Sequence, residues 1–482
     1  LLDIRPVVSI IGLFLIVLAG FTVLPLGVSL AAGDGEWVVF AAAAAITLFF
    51  GLAMMLSCGG TKRRTDLRQA FLIAVGTWAV LPLFAALPFR FGSADLTATD
   101  AVFEAMSGLT TTGSTVFPDV GALSPAVLVW RSGLQWLGGI AIILMAVTLL
   151  PTLRVGGMQV FKSEAFDTPD KIFTRVHPIA WKLIGLYAGL TALWCGLYRA
   201  AGMSFFDAAN HAMTTLSTGG FSTASDSLGH WRSPAILIVA TAGMIVAALP
   251  FALYLQAAGG AWKPLLRDGQ VRVFLATLGL AALVIAAWLV ADSNYDLGFA
   301  LLGALFHTTA ILTGTGYSAT DIQLWGGLPV ALLFVLQYVG GCAGSTTCGF
   351  KIFRFQLLYA AARVQVSRML RPHLMLVPQY NGRPLQASVA DAVMGFFFLY
   401  ALSVAWLTIG LSYLGLDFVT AISGASTAIS NVGPGFGEII GPTGNFSSLP
   451  DAAKWMLALG MLLGRLEILS VLVLFQPSFW RE

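Results

Sequence analysis

Long apolar runs alternate along the chain with short stretches rich in Ser, Thr and Gly. The runs are Val7–Ala32, Trp37–Cys58, Ala70–Phe89, Ala126–Leu150, Ile179–Ala201, Ala235–Leu255, Val271–Ala291, Leu328–Phe350, Val389–Leu414 and Ala452–Phe475. Most are near the roughly 20 residues that a spanning helix needs, so the pattern predicts ten transmembrane helices. Val7–Ala32 exceeds a signal-peptide core of roughly 7–15 residues and reads as a retained first span. After the first two runs the pattern settles into a unit of apolar span, short polar stretch and second span. The polar stretches are Asp100–Thr115 (DAVFEAMSGLTTTGST), Asp207–Thr223 (DAANHAMTTLSTGGFST), Phe299–Ser318 (FALLGALFHTTAILTGTGYS) and Asp417–Gly437 (DFVTAISGASTAISNVGPGFG). Each is too short and too polar to cross a bilayer. Each begins as a short helix, with Asp207 expected to cap the second, and ends in a flexible turn.

Aligned on the glycine after the Thr-rich turn, the four copies meet at Gly113, Gly220, Gly316 and Gly433, spaced 107, 96 and 117 residues apart. That is the mark of a duplicated unit with variable linkers. Asp100 and Asp207 lie 13 positions before their glycines, and Glu104, His211 and His307 lie nine before. Just after the glycines come Asp119, Asp226, Asp321 and Glu438, one carboxylate per copy, expected as an acidic ring at an outer mouth. A single such stretch would pass for an ordinary turn or a helix-packing contact. Four in register imply irregular backbone at membrane depth, which is tolerated only where protein buries it or water reaches it. Short helices that point their carboxyl ends at a common axis, followed by loops that offer carbonyl oxygens, make a cation pathway. The expected division is 1–64 for two extra N-terminal helices, then repeats 65–165, 166–262, 263–370 and 371–482.

Composition agrees with this reading. Of 482 residues 57% are hydrophobic and 10% charged, against about 25% charged in soluble domains. With both termini in the cytoplasm, 20 of the 26 Lys and Arg fall on the inner side, as the positive-inside rule requires. Each unit then crosses twice and all four run parallel. The net charge of +3 follows topology and implies no nucleic acid. Four scattered cysteines, five histidines and no phosphate-binding glycine motif give no metal, disulfide or nucleotide pattern; an enzyme is not expected.

The units and the stretches TTTGS, STGGFST, TGTGY and NVGPGFG, together with two extra N-terminal spans, make the chain resemble the TrkH family over essentially its whole length. These are the membrane subunits of bacterial Trk potassium-uptake systems, in a superfamily with KtrB and plant HKT proteins. The resemblance implies an all-α integral membrane protein of the bacterial inner membrane: ten transmembrane helices and four re-entrant pore loops in four parallel repeats around a pseudo-fourfold pore. It also implies a homodimer, K+ as the permeant ion, no bound organic cofactor, and a cytoplasmic RCK-type, TrkA-like regulatory subunit that carries the nucleotide. Carried over by position, the filter carbonyls come from Thr111, Thr112 and Gly113; Thr218, Gly219 and Gly220; Gly314, Thr315 and Gly316; and Asn431, Val432 and Gly433. In this superfamily a serine at the first glycine position goes with sodium permeability, so Gly113 favours potassium. A Na+- or H+-coupled K+ symporter, a less selective K+/Na+ pathway and a non-transporting receptor or scaffold are the alternatives.

Two interruptions lie below the filter. Twelve helical residues, Leu328–Val339, reach only about 18 Å of a core about 30 Å thick. The following run, residues 340–349, with Gly340, Gly341, Ala343, Gly344, Ser345 and Thr346, must therefore lie inside the membrane. It matches the intramembrane gating loop of the family. Arg465 sits about midway along Ala452–Phe475, where a charge costs at least about 2.5–3.5 kcal/mol, and matches the family's pore arginine. Glu467, two positions on, is a poor partner for it. Arg131 and Arg232 read as loop anchors, and Glu104, His211 and His307 as hydrogen-bonding residues of the short helices and not as proton carriers.

Overall fold

The apolar runs fold as helices in a computed structural model that describes residues 2–58, 66–148, 156–158, 169–292, 295–371, 373 and 376–481. Seven stretches are long and apolar enough to cross a membrane: Arg5–Ala32, Trp37–Ser57, Leu67–Phe91, Pro125–Val147, Pro178–Ala200, Gly269–Ala291 and Ser388–Tyr413. Two bent pairs bring the number among the described residues to nine. Their outer faces expose large apolar side chains such as Phe49, Leu56, Leu280 and Phe398, a surface suited to lipid. The chain is an integral membrane protein. Its first two spans touch backbone to backbone: a methyl group at Gly12 would stand 2.7 Å from the carbonyl oxygen of Gly51. Small residues at such crossings let helices gain dispersion contacts that side chains would prevent.

Three of the expected second spans are not straight. Ala235–Leu255 is two helices, Pro234–Ala247 and Phe251–Ala258, bent by 93°. Pro250, between them, has no N–H to continue the ladder. Leu328–Phe350 is helical only over the ten residues Gly327–Leu336, about 15 Å, and then runs irregular to Lys351. Ala452–Phe475 bends by 103° between Asp451–Arg465 and Leu469–Phe475. Arg465 is thus the last residue of its helix, not its midpoint. The remaining second span, Pro125–Thr148, is one helix of 24 residues.

The four polar stretches begin as short helices, Ala98–Leu109, Phe205–Leu216, Leu297–Leu312 and Phe418–Ser430. Thr97, Ser204, Asp296 and Asp417 cap them by accepting the amides of Asp100, Asp207, Gly298 and Thr420. The second cap is therefore Ser204, not Asp207. Asp207 stands three residues inside, takes a 2.6 Å hydrogen bond from the Ser204 hydroxyl, and takes another of 2.6 Å from Thr223 at the far end of the loop. Serine fits the cap as well as aspartate does, and the acid in the first turn complements the helix dipole.

Candidate ion pathway

Each short helix ends the same way. Thr111, Thr218, Gly314 and Asn431 take left-handed backbone, with φ of 53°, 50°, 72° and 53°. In three copies the next amide reaches back to close the last turn: Thr112 to Ser107, Gly219 to Thr214, and Val432 to Thr427, at 2.9, 2.9 and 3.1 Å. This is the 6→1 bond of a Schellman end. β-Branched Thr111 and Thr218 are costly there, at about 1–3 kcal/mol each, and strain of that kind collects at functional sites. Two positions on, Gly113, Gly220, Gly316 and Gly433 again have positive φ, from 74° to 103°. The handedness alternates through all four loops, and such alternation turns successive peptide groups toward one side.

The loops also meet. A methyl group at Gly113 would run into the carbonyl oxygen of Gly219, at Gly220 into that of Thr315, at Gly316 into that of Val432, and at Gly433 into that of Thr112. Each glycine thus abuts the carbonyl one position before the next copy's glycine, and the contacts close on themselves. Side chains stitch the seams. Asn431 donates to Thr112 (2.9 Å), Ser114 to the Gly433 carbonyl (2.8 Å), Thr214 shares a hydrogen bond with Tyr317 (2.6 Å), and Gln323 accepts from the Gly437 amide (2.7 Å). All four glycines border one cavity of about 80 Å³.

Of the expected mouth acids, Asp119, Asp226 and Glu438 are exposed and Asp321 half-buried. None borders that cavity; the charged side chain that does is Arg131. Asp119 accepts from Ser225 (2.8 Å) and the Gly121 amide (2.9 Å), and Asp321 caps Gln323. Arg131 is 1% exposed, pairs with Glu104 at 2.8 Å, donates to the Ser222 carbonyl at 3.2 Å and lies 4.0 Å over the Phe221 ring. It anchors the first loop to the second. Arg232 is exposed at the end of a short 3₁₀ turn, Ser227–Trp231.

Gln135 had no signal in the sequence beyond being an amide in an apolar run. It donates to the Gly219 carbonyl (2.6 Å) and accepts from the Phe221 amide (3.1 Å), holding the second loop on both sides of Gly220. Gln135→Leu leaves both buried groups unpaired and is expected to cost about 1–3 kcal/mol, read as a lowered Tm in detergent. An unchanged Tm would show that the loop finds other partners.

Residues 340–349 lie inside the protein, and Gly340, Gly341, Ala343, Ser345 and Thr346 are buried. The loop satisfies the carbonyls orphaned by the break at Pro250. The Cys342 amide donates to Ala248 (3.0 Å), the Thr346 hydroxyl donates to Ala247 (3.1 Å), and the Gly344 carbonyl receives the Phe251 amide (3.0 Å). It touches the second of the four loops directly, through a 3.1 Å bond between Thr218 and Thr346. Arg465, 1% exposed, donates to the carbonyls of Thr346 and Gly138 (3.2 Å each) and to the sulfur of Cys348. Its Nε has no partner, and no carboxylate pairs with it, among the described residues. Glu467 turns the other way, to Lys351 at 3.1 Å and Arg354 at 2.6 Å. Nothing near residues 466–468 marked this break or this cluster.

The family model for TrkH, a cation transport protein, matches residues 37–482. A Trk system potassium uptake protein TrkI from Halomonas elongata is 41% identical over 99% of this chain and 97% of its own length. The Escherichia coli K12 protein named Trk system potassium uptake protein TrkH is 34% identical over 99% of both. The crystal structure of the potassium transporter TrkH from Vibrio parahaemolyticus superposes with a TM-score of 0.92 over the whole of both chains, at 34% identity. With the family model covering most of the chain and its relatives aligned end to end, this protein belongs to the TrkH family.

Proposed function

We propose that this chain takes up potassium across the bacterial inner membrane through a selectivity filter made by its four loops. The observation that carries the reading is the closed cycle of glycine-to-carbonyl approaches, with the same left-handed positions in every copy. Four repeats, 65–165, 166–262, 263–370 and 371–482, each supply a quarter of a pseudo-fourfold pore. The carbonyls of residues 111–113, 218–220, 314–316 and 431–433 replace the ion's water. The helices behind them direct their partial negative ends to the axis. Asp119, Asp226, Asp321 and Glu438 add negative potential farther out, beyond the cavity wall.

Residues 340–349 are the gate and Arg465 its electrostatic lock. A guanidinium without a counter-charge, hydrogen-bonded to the loop beneath the filter, repels a cation about 4 Å away by several kcal/mol at an effective dielectric of 20. Arg465→Ala is expected to raise potassium flux by about tenfold or more while the protein stays folded. Unchanged flux through a well-folded variant would remove Arg465 from the pathway.

The chain works as a homodimer with an RCK-type cytoplasmic subunit that binds the nucleotide. In support, the helix Ile352–Leu370 leaves Tyr359, Met369 and Leu370 exposed beside Arg363 and Arg368, a face fit for a protein partner. Of the other basic stretch, around Lys162–Arg175, residues 162–168 lie outside the described residues and the rest opens the helix Pro169–Ala200. The deciding measurement is current through the purified protein in a planar bilayer with opposed K+ and Na+ gradients. A reversal near the potassium equilibrium potential supports a selective channel-like path; a reversal set by Na+ or H+ would replace it with a coupled symporter.

A further inference from the structure

We propose that four buried polar side chains, Glu104, His211, His307 and Ser423, are positioning residues for ion discrimination, each holding the outgoing end of one filter loop. The inference rests on the filter reading above. Each side chain sits in one short helix, nine residues before the glycine in the first three copies and ten before it in the fourth. Each reaches the strand two or three residues beyond that glycine. Glu104 accepts the Val116 amide at 2.9 Å and the Thr115 hydroxyl at 3.1 Å. His211 Nε2 meets the Ser222 hydroxyl at 2.9 Å. His307 Nε2 accepts the Ala319 amide at 3.2 Å. Ser423 accepts the Phe436 amide and donates to the Phe436 carbonyl, both at 3.0 Å. All four are buried.

The four groups have different chemistry and one job. Because the Ala319 N–H points at His307 Nε2, that nitrogen carries the lone pair. The proton is on Nδ1, which donates to the Gly303 carbonyl at 3.0 Å. His211 Nδ1 is likewise engaged, with the Asp207 carbonyl at 2.8 Å. Both imidazoles are bonded at both nitrogens, which suits a fixed strut and not a proton relay. The helix end fixes the start of each filter loop, and the strut fixes its exit. The carbonyls between them are held at both ends, so the cage cannot close freely around a smaller ion. Discrimination by size or by carbonyl number both need that resistance. The fourth copy supports the argument. Gly424 stands where Glu104, His211 and His307 stand in theirs, and Ser423, one residue earlier, makes the equivalent tie.

The test is the K+/Na+ permeability ratio of the full chain in planar bilayers, taken from bi-ionic reversal potentials, with Tm in K+-free detergent as a second readout. Ser423→Ala removes one hydroxyl and His307→Ala one ring; each is expected to lower the ratio at least about fivefold. His307→Gln, whose Oε1 can take the place of Nε2, is expected to restore most of it. A purely structural role predicts a lower Tm with an unchanged ratio, and that result, or a failure of the glutamine to restore selectivity, overturns the proposal. If His307→Ala does not fold, Ser423→Ala decides. A wild-type protein that passes no selective potassium current would instead overturn the filter reading itself.

Discussion

Gly220→Ala is expected to leave about one-hundredth of the wild-type potassium flux, measured as rubidium uptake into proteoliposomes. Two costs fall on the same atom. At φ of 78° an added Cβ crowds its own backbone by roughly 1–2 kcal/mol, and it also runs into the carbonyl oxygen of Thr315. That carbonyl belongs to the adjoining loop, whose Thr315 hydroxyl is tied to Thr313 at 2.7 Å. It cannot retreat without moving that loop, the third quarter of the proposed filter, as well. A total strain of about 2–3 kcal/mol depletes the native loop by roughly thirty- to 150-fold. Near-normal flux in Gly220→Ala would mean that the close approach has no part in conduction.

Glu467→Ala is expected to be among the most destabilising single changes in the molecule. It would strand Lys351 and Arg354, both buried, without the carboxylate that both contact at 3.1 and 2.6 Å. Breaking a buried ion cluster by removing one partner typically costs about 3–5 kcal/mol, which should lower Tm by about 5 °C or more. Replacing the whole cluster with apolar residues (Glu467→Leu, Lys351→Met, Arg354→Met) is expected to recover much of the loss, because no unpaired charge then remains. A single variant that melts like the wild type would show that water or lipid headgroups reach the two cations.

The membrane class and the family were legible because both rest on long-range pattern. Apolar run length reports bilayer thickness, and four Ser/Thr/Gly stretches with aligned glycines report a repeated unit. What escaped the sequence were matters of local geometry decided by distant partners. Ser204 and Asp207 are both good caps, and only the path of the chain chooses between them. Gln135 and the Glu104–Arg131 pair are ordinary residues until the first and second loops are brought together. The break after Arg465 has neither Gly nor Pro; Glu467 at φ of 56° is held there by cations that lie more than a hundred positions away in sequence. The break after Ala247 was visible in Pro250, but an apolar run of the right length hid it.

The three broken second spans and the single straight one give the proposed pathway unequal walls. Pro125–Thr148 runs without interruption, whereas the others bend by 93° and 103° or dissolve into loop. If the four loops form the proposed filter, any widening beneath it is expected to hinge in the three broken spans and to leave the straight one in place. A passage of that kind would open to one side, as a door swings from a fixed jamb, with its open axis displaced from that of the proposed filter.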